Sequence, residues 1–198
     1  MQSRTTRMAV WDKLIRLFHW SLLAAVVISF YTTKTSGQPF LFPLEVHAQS
    51  GYLIIGLLVF RVIWGLVGTP YARFGTFLYG PTVTARYTKA LMTRRAPHYA
   101  SHNPLGGWMV VLLLASLGFQ ALSGLFLSDD IFFQAPLYGL LGAGVGDLLG
   151  QLHALNSDLL LVLIGVHVLG LMWHALQGER LVTAMLTGVK KFDLPPAD

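Results

Sequence analysis

The sequence predicts an all-α membrane protein, a four-transmembrane-helix up-down bundle with its N and C termini cytoplasmic. Three observations predict it. Hydrophobic residues make up 54% of the 198-residue chain and charged residues only 12%, with a mean hydropathy of +0.59; a soluble domain carries about a quarter charged residues. Four stretches, 14–32, 46–67, 106–127 and 150–176, approach or exceed the roughly 20 apolar residues that a helix needs to cross a hydrocarbon core. Twelve of the 14 Lys and Arg fall in three segments that only an even number of spans places on one side of a membrane. Residues 1–198 read as a single domain, with no repeat, low-complexity tract or internal boundary.

The elements follow in order. The N-terminal arm carries Arg4, Arg7, Lys13 and Arg16, and cytoplasmic segments are enriched in Lys and Arg. The first apolar run contains Lys13, Arg16 and His19 and is not followed by a small-residue cleavage site, so it reads as a retained span rather than a signal peptide. A short connection, 36–43, leads to the second span, which holds His47 at its start and Arg61 further on. The long loop 68–104 adds Arg73, Arg86, Lys89, Arg94 and Arg95 to the basic side. After the third span, the connection 128–149 is itself apolar and competes for a fifth span. Pro136, Asp147 and four glycines in it suit an interfacial or re-entrant piece better. The fourth span ends in a tail with Arg180, Lys190 and Lys191. The opposite side has only Lys34, beside Glu45, Asp129, Asp130 and Asp147. Trp11, Trp64, Trp108 and Trp173 lie near span ends, as an aromatic belt requires. The charge belongs to the membrane flanks, and no nucleic-acid partner is expected.

The chain has no cysteine. That excludes disulfides, iron–sulfur clusters, thiolate zinc sites and covalent c-type haem attachment. Any metal or haem falls to His, Met or carboxylate.

The histidines carry the functional argument, because ionisable residues inside a membrane are costly and are candidates for function. His153 and His167 are 14 residues apart on the fourth span, which puts them within roughly 40° in azimuth and about 21 Å apart in height. His19, part of the way up the first span, matches the inner level. His47, at the outer start of the returning second span, matches the outer one. The expected pairs are His47 with His153 outside and His19 with His167 inside, and facing imidazoles at one level are what a six-coordinate haem needs. Arg61 lies 14 residues beyond His47, on the same face at the inner level, where a haem propionate would match its charge. Arg16, one turn below His19, suits the same part. Gly51, Gly165 and Gly170 would let a flat macrocycle approach the backbone. Polar contacts between helices would account for one such histidine; four at two matched levels, with an arginine in register, favour two non-covalent haem b groups.

Other polar residues stay open at this point. By angle His174 also lies near the stripe, but about 10 Å deeper than His167, which suits an interfacial position or a propionate contact. His98 and His102 have i,i+4 spacing without a carboxylate partner and read as surface histidines. Asp158 lies on roughly the opposite side of the fourth span from the histidines, where a hydrogen bond to another helix is expected.

Several motifs resemble the bacterial cytochrome b561 family. They are Val10-Trp11-Asp12 followed by Arg16-Leu17-Phe18-His19-Trp20, His47 with Gly51-Tyr52, and 60–65 (Phe-Arg-Val-Ile-Trp-Gly). The loop 71–74 (Tyr-Ala-Arg-Phe), 102–106 (His-Asn-Pro-Leu-Gly) and the ending 184–190 (Ala-Met-Leu-Thr-Gly-Val-Lys) join them. The family is related to the b-type cytochrome subunits of nickel–iron hydrogenases and, more distantly, to the gamma subunit of formate dehydrogenase. The resemblance implies a multi-pass di-haem cytochrome of the bacterial inner membrane that exchanges electrons with quinone. It implies a quinone site near the inner haem, beside an Asn that starts the third helix. Asn103 is the matching residue, with His102 beside it, although the Pro-Leu-Gly-Gly that follows departs from the relatives' pattern.

The expected function is transmembrane electron transfer between haems about 20 Å apart, linking the quinone pool to a periplasmic hydrogenase or c-type cytochrome. Bis-imidazole ligation closes both axial positions and disfavours oxygen chemistry. Two other classes compete. A stand-alone oxidoreductase, such as a superoxide:quinone oxidoreductase, would turn over without a partner. A haem-free metal transporter would need carboxylates along its path, and the spans offer only Asp158.

Overall fold

The computed structural model describes residues 6–35, 44–93, 95–129, 131 and 133–192. The connection 36–43 and the charged residues Arg4, Arg94 and Asp130 lie outside them. A short strand, β1 (Thr6–Ala9), precedes helix α1 (Lys13–Thr35). The Asp12 carboxylate accepts the Ile15 N–H at 2.9 Å, so α1 opens with a side-chain cap on one of its unbonded donors. Helix α2 (Leu44–Val67) has Glu45 in its first turn, where a negative charge suits the helix dipole. Two short 3-10 turns at 70–72 and 74–76 lead to α3 (Pro81–Met92), with proline at its first position. Helix α4 (Pro104–Gly124) starts the same way, and Asn103 Oδ1 caps it by accepting the Gly106 N–H at 2.8 Å. Then come α5 (Ala143–Leu176), α6 (Leu181–Thr187) and β2 (Val189–Phe192). Gly188 ends α6 at φ 82°, and a Cβ there would lie 2.7 Å from the Trp11 carbonyl oxygen.

Among the described residues four helices are long and apolar enough to span a bilayer: Lys13–Thr33, Leu44–Val67, Pro104–Gly124 and Ala143–Leu176. The chain is a mostly helical, multi-pass membrane protein. Three local expectations change. The third helix stops at Gly124, and turns at 125–126 and 136–141 flank a bridge between Ser128 and Gln134. Residues 143–149, expected in the connection, are instead the first two turns of α5. Each glycine there costs a helix only about 1 kcal/mol, and lengthening an existing helix gains one hydrogen bond per residue. At 34 residues, α5 is about 51 Å long, well beyond a hydrocarbon core of about 30 Å. Finally, the long loop is not featureless, because it holds α3.

The chain divides into two compact units: residues 1–17, 61–112 and 164–198, and residues 18–60 and 113–163. The first has Val10, Ile15, Phe77, Tyr87, Ala100 and Ala184 in its core. Close approaches there need glycine: a Cβ at Gly107 would lie 2.2 Å from the Phe77 carbonyl oxygen, and one at Gly65 2.1 Å from the Phe74 ring. Its strands pair antiparallel, from Thr6 with Phe192 to Ala9 with Val189, so the N-terminal arm and the tail lie side by side. The second unit buries Phe18, Ala25, Val26, Ile54, Leu117, Ala121 and Leu160. Both leave many Leu, Val and Ile side chains exposed, as lipid-facing helices do.

Candidate functional site

In the second unit, α2 and α5 bring His47 and His153 together. Their ring centroids are 6.3 Å apart and the planes 71° to each other. An imidazole nitrogen bonds a first-row metal at about 2.0 Å, so trans imidazoles hold their nitrogens about 4 Å apart and their centroids about 6 Å apart. The hydrogen bonds fix which nitrogen is free to bind. His47 Nδ1 donates to the Ser29 carbonyl at 3.1 Å, which leaves Nε2 with its lone pair. Ser123 donates its hydroxyl to the Gln120 carbonyl at 3.1 Å, so its Oγ accepts from His153 Nδ1 at 2.9 Å, and His153 Nε2 is bare as well. Such bonds to the outer nitrogen orient ligating histidines. Ser50 braces the arrangement, donating to the His47 carbonyl at 2.7 Å and receiving from Ser29 at 2.7 Å. Gly124 leaves room for the ring: a Cβ there would come within 3.3 Å of His153 Cε1. The sequence reading missed Ser29, Ser123 and Gly124. Serines in an apolar helix one turn from its end give no signal until the partner helix is known.

The remaining expected ligands fall in different units. His19 lies in the second, its ring edge-on to Trp20 at 5.3 Å, while His167 lies half-buried in the first. A Cβ at Gly51, Gly165 or Gly170 would meet nothing within 4 Å, and Gly165 and Gly170 are exposed, so the expected close approach of a macrocycle is not specific to these glycines.

The first unit contains both arginines. Arg61 is 4% exposed, its guanidinium 4.5 Å from the Phe74 ring centroid and 5.9 Å from that of Phe77. Its Nη1 is enclosed and meets no hydrogen-bond acceptor among the described residues. The cation–π contacts offset part of its desolvation, and an anionic group would satisfy the rest. Arg16 donates from Nη2 to the Leu186 carbonyl, and its enclosed Nε likewise finds no acceptor among the described residues. The bare imidazoles of the second unit would by themselves suit an iron, and a propionate would suit these two arginines. Near them, Asp12 accepts from Thr69 at 2.6 Å and Trp64 at 3.1 Å. Burial pushes its carboxyl up, but bonds from Thr69, Ile15 and Trp64 bring it below the ordinary 3.8.

A second polar cluster in the same unit surrounds Glu179, whose side chain is 8% exposed. His98 Nδ1 and His174 Nδ1 each lie 2.6 Å from its carboxylate oxygens, and Lys190 Nζ lies 3.5 Å away. Lys190 also donates to the Tyr99 carbonyl at 2.5 Å. Burial alone would push Glu179 up; the bond from His174 and the charges of Lys190, His174 and His98 hold it at about 2, against an ordinary 4.5. Burial and the Glu179 charge push the Tyr87 phenol well above its ordinary range. Asn103 faces the cluster, its Nδ2 3.1 Å from His174 Nε2. His102 packs between Trp11 and Phe77, with centroids at 4.8 and 4.7 Å. His98 and His174, read from sequence as a surface histidine and an interfacial one, thus share a carboxylate that the sequence reading did not single out.

Asp158 departs from expectation. It is exposed on α5 and makes no hydrogen bond to another helix among the described residues. Asn156, two residues earlier and so turned toward α4, makes those bonds instead, to Ser116 and Gln120.

Comparison with known proteins identifies the family. The prokaryotic cytochrome b561 family matches residues 10–188. A curated relative from Rhizobium leguminosarum bv. viciae, described as a probable Ni/Fe-hydrogenase B-type cytochrome subunit, is 23% identical over 92% of this chain and 88% of its own length. No solved structure matches the chain. With four apolar helices and a family match over nearly its whole length, the chain belongs to the prokaryotic cytochrome b561 family of multi-pass membrane b-type cytochromes.

Proposed function

We propose that the protein binds two b haems non-covalently and carries electrons across a bacterial inner membrane, with both termini in the cytoplasm. On this reading it connects the quinone pool to a periplasmic redox partner, a hydrogenase or a c-type cytochrome. The observation that carries it is the His47–His153 pair, two imidazoles at ligating separation with both Nε2 lone pairs bare. When bound, haem supplies a one-electron couple; the chain places it and sets its surroundings. His47 and His153 would hold the outer haem, and Ser29 and Ser123 fix their tautomers. His19 and His167 hold the inner haem, a pairing that rests on their helical spacing in the sequence. Arg61 and Arg16 bind its propionates, and Asn103 binds the quinone. The relative's description as a hydrogenase subunit supports a hydrogenase-like partner.

The test is the reduced-minus-oxidised spectrum of the purified protein, with haem quantified per chain as the pyridine haemochrome. Two b haems per chain are expected, falling to about one in His153→Ala. A colourless protein, or His153→Ala retaining both haems, would sink the reading.

A further inference from the structure

Resting on the reading of Asn103 as the quinone site, we propose that His174, oriented by Glu179, is the acid–base group that exchanges protons with that quinone. Asn103 Oδ1 accepts the Gly106 N–H, so the amide is fixed and Nδ2 is the atom that faces His174 Nε2. An amide nitrogen only donates. His174 Nε2 is therefore the acceptor, and the proton of the neutral ring sits on Nδ1, donated to Glu179 Oε2. A buried carboxylate that holds an imidazole in one tautomer, with the other nitrogen left unprotonated as an acceptor, is the arrangement that makes a histidine a general base. A structural tie between α5 and the tail would need the charge pairing; it would not need a lone pair aimed at a cap amide.

The surroundings suit repeated proton exchange. The His174 side chain is 13% exposed, and the other Glu179 oxygen binds His98, whose side chain is 52% exposed. The charged and titratable groups that face Glu179 are His98, His174 and Lys190, with the Tyr87 phenol also within reach of its charge. Lys190 and the two histidines keep the carboxylate ionised, so it steadies an imidazolium when one forms.

Oxidation of a hydroquinone to a quinone releases two electrons and two protons. Bound haem would supply the one-electron acceptors for the two electrons. Each proton passes in turn from a hydroxyl oxygen to His174 Nε2, breaking an O–H bond and forming an N–H bond, as the ligand hydroxyl takes the place of the Asn103 N–H at that nitrogen. The imidazolium, paired with Glu179, then returns that proton to water. Reduction of a quinone runs the same steps in reverse. Glu179 is a positioning residue here, and His174 the group that touches the ligand.

Two measurements on the haem-loaded protein test this. The first is equilibrium affinity for an acidic hydroxyquinone, followed by tryptophan fluorescence against pH. Binding the anion takes up one proton at His174, so affinity falls about tenfold per pH unit on the alkaline side in the wild type and is flat in His174→Gln. The second is the rate of haem reduction by a short-chain benzoquinol, expected to fall about 100-fold in His174→Gln and Glu179→Gln. Unchanged haem spectra report an intact fold; should Glu179→Gln lose them, Glu179→Asp carries its part of the test. Wild-type rate and pH slope in His174→Gln overturn the assignment. Asn103→Ala separates the two readings. Weaker binding there, with His174→Gln unaffected, overturns only the role of His174; unchanged binding removes the quinone site and the inference with it.

Discussion

Glu179 ties the stability of the protein to acid pH, and the size of the effect follows from its surroundings. In the folded chain its carboxyl titrates at about 2 against an ordinary 4.5. At about 1.36 kcal/mol per pH unit, that difference is worth roughly 3 kcal/mol. Its side chain is 8% exposed, so solvent screening takes little from that figure. The folded value is the lower one, so the stabilisation is fully present above pH 4.5 and is lost as pH falls toward 2. Replacing Glu179 by Gln keeps the shape and removes the charge. In detergent, Glu179→Gln is expected to melt below the wild type at neutral pH by on the order of 10 °C, taking about 3 °C per kcal/mol for a chain of this size. Melting curves of both proteins from pH 7 to pH 2, followed by helical circular dichroism, measure the difference. Protonation of other groups lowers both curves alike; the gap between them isolates Glu179 and should close below pH 4.5. A gap that stays constant down to pH 2, or no gap at neutral pH, would refute the reasoning, because the ion cluster would then contribute nothing specific to the folded state.

Two other perturbations test the haem environment. Ser123→Ala removes the acceptor that holds His153 Nδ1, and loss of such a partner typically weakens metal binding 10- to 100-fold; haem titration of the apoprotein should show this for one of two sites. Arg61→Gln removes the buried cation proposed to pair with a haem propionate. Taking 1–2 kcal/mol for that interaction, one haem's midpoint potential should drop by about 40–90 mV, read by spectroelectrochemical titration, with haem stoichiometry unchanged.

How much of this was legible in the sequence depended on the range of the interaction involved. The four spans were legible because hydropathy over about 20 residues is set by the bilayer rather than by packing. The His47–His153 pair was legible because helical rise converts residue number into height, and two spans of opposite direction share one scale. Helix ends were less so: Ala143–Leu149 contains glycines that suggest a break, and only continuity with α5 shows that their cost is carried. Helix α3 hid in a loop read for its charge, although Pro81 after Gly80 is a helix-start signal. The serines that fix the imidazole tautomers and the carboxylate between His98 and His174 were illegible for a different reason. Glu179 and His98 are 81 positions apart, and neither residue type nor spacing announces a partner at that distance. Asp158 and Asn156 show the same limit: a two-residue step along a helix turns a side chain by about 200°, and sequence alone did not tell which of the two meets α4.

The strand pair has a consequence for how the chain is made. Ala9 and its partner Val189 are 180 positions apart. At roughly 5–20 residues per second of synthesis, 9–36 s pass between the emergence of one strand and that of the other. Throughout that interval the backbone donors and acceptors of residues 6–9 have no strand to bond with, and an unpaired edge invites other chains. The ribbon therefore works as a late seal: residues 6–9 gain their partner strand only once residues 189–192 have been made. A chain halted before residue 189 leaves residues 6–9 without their partner strand and open to proteolysis.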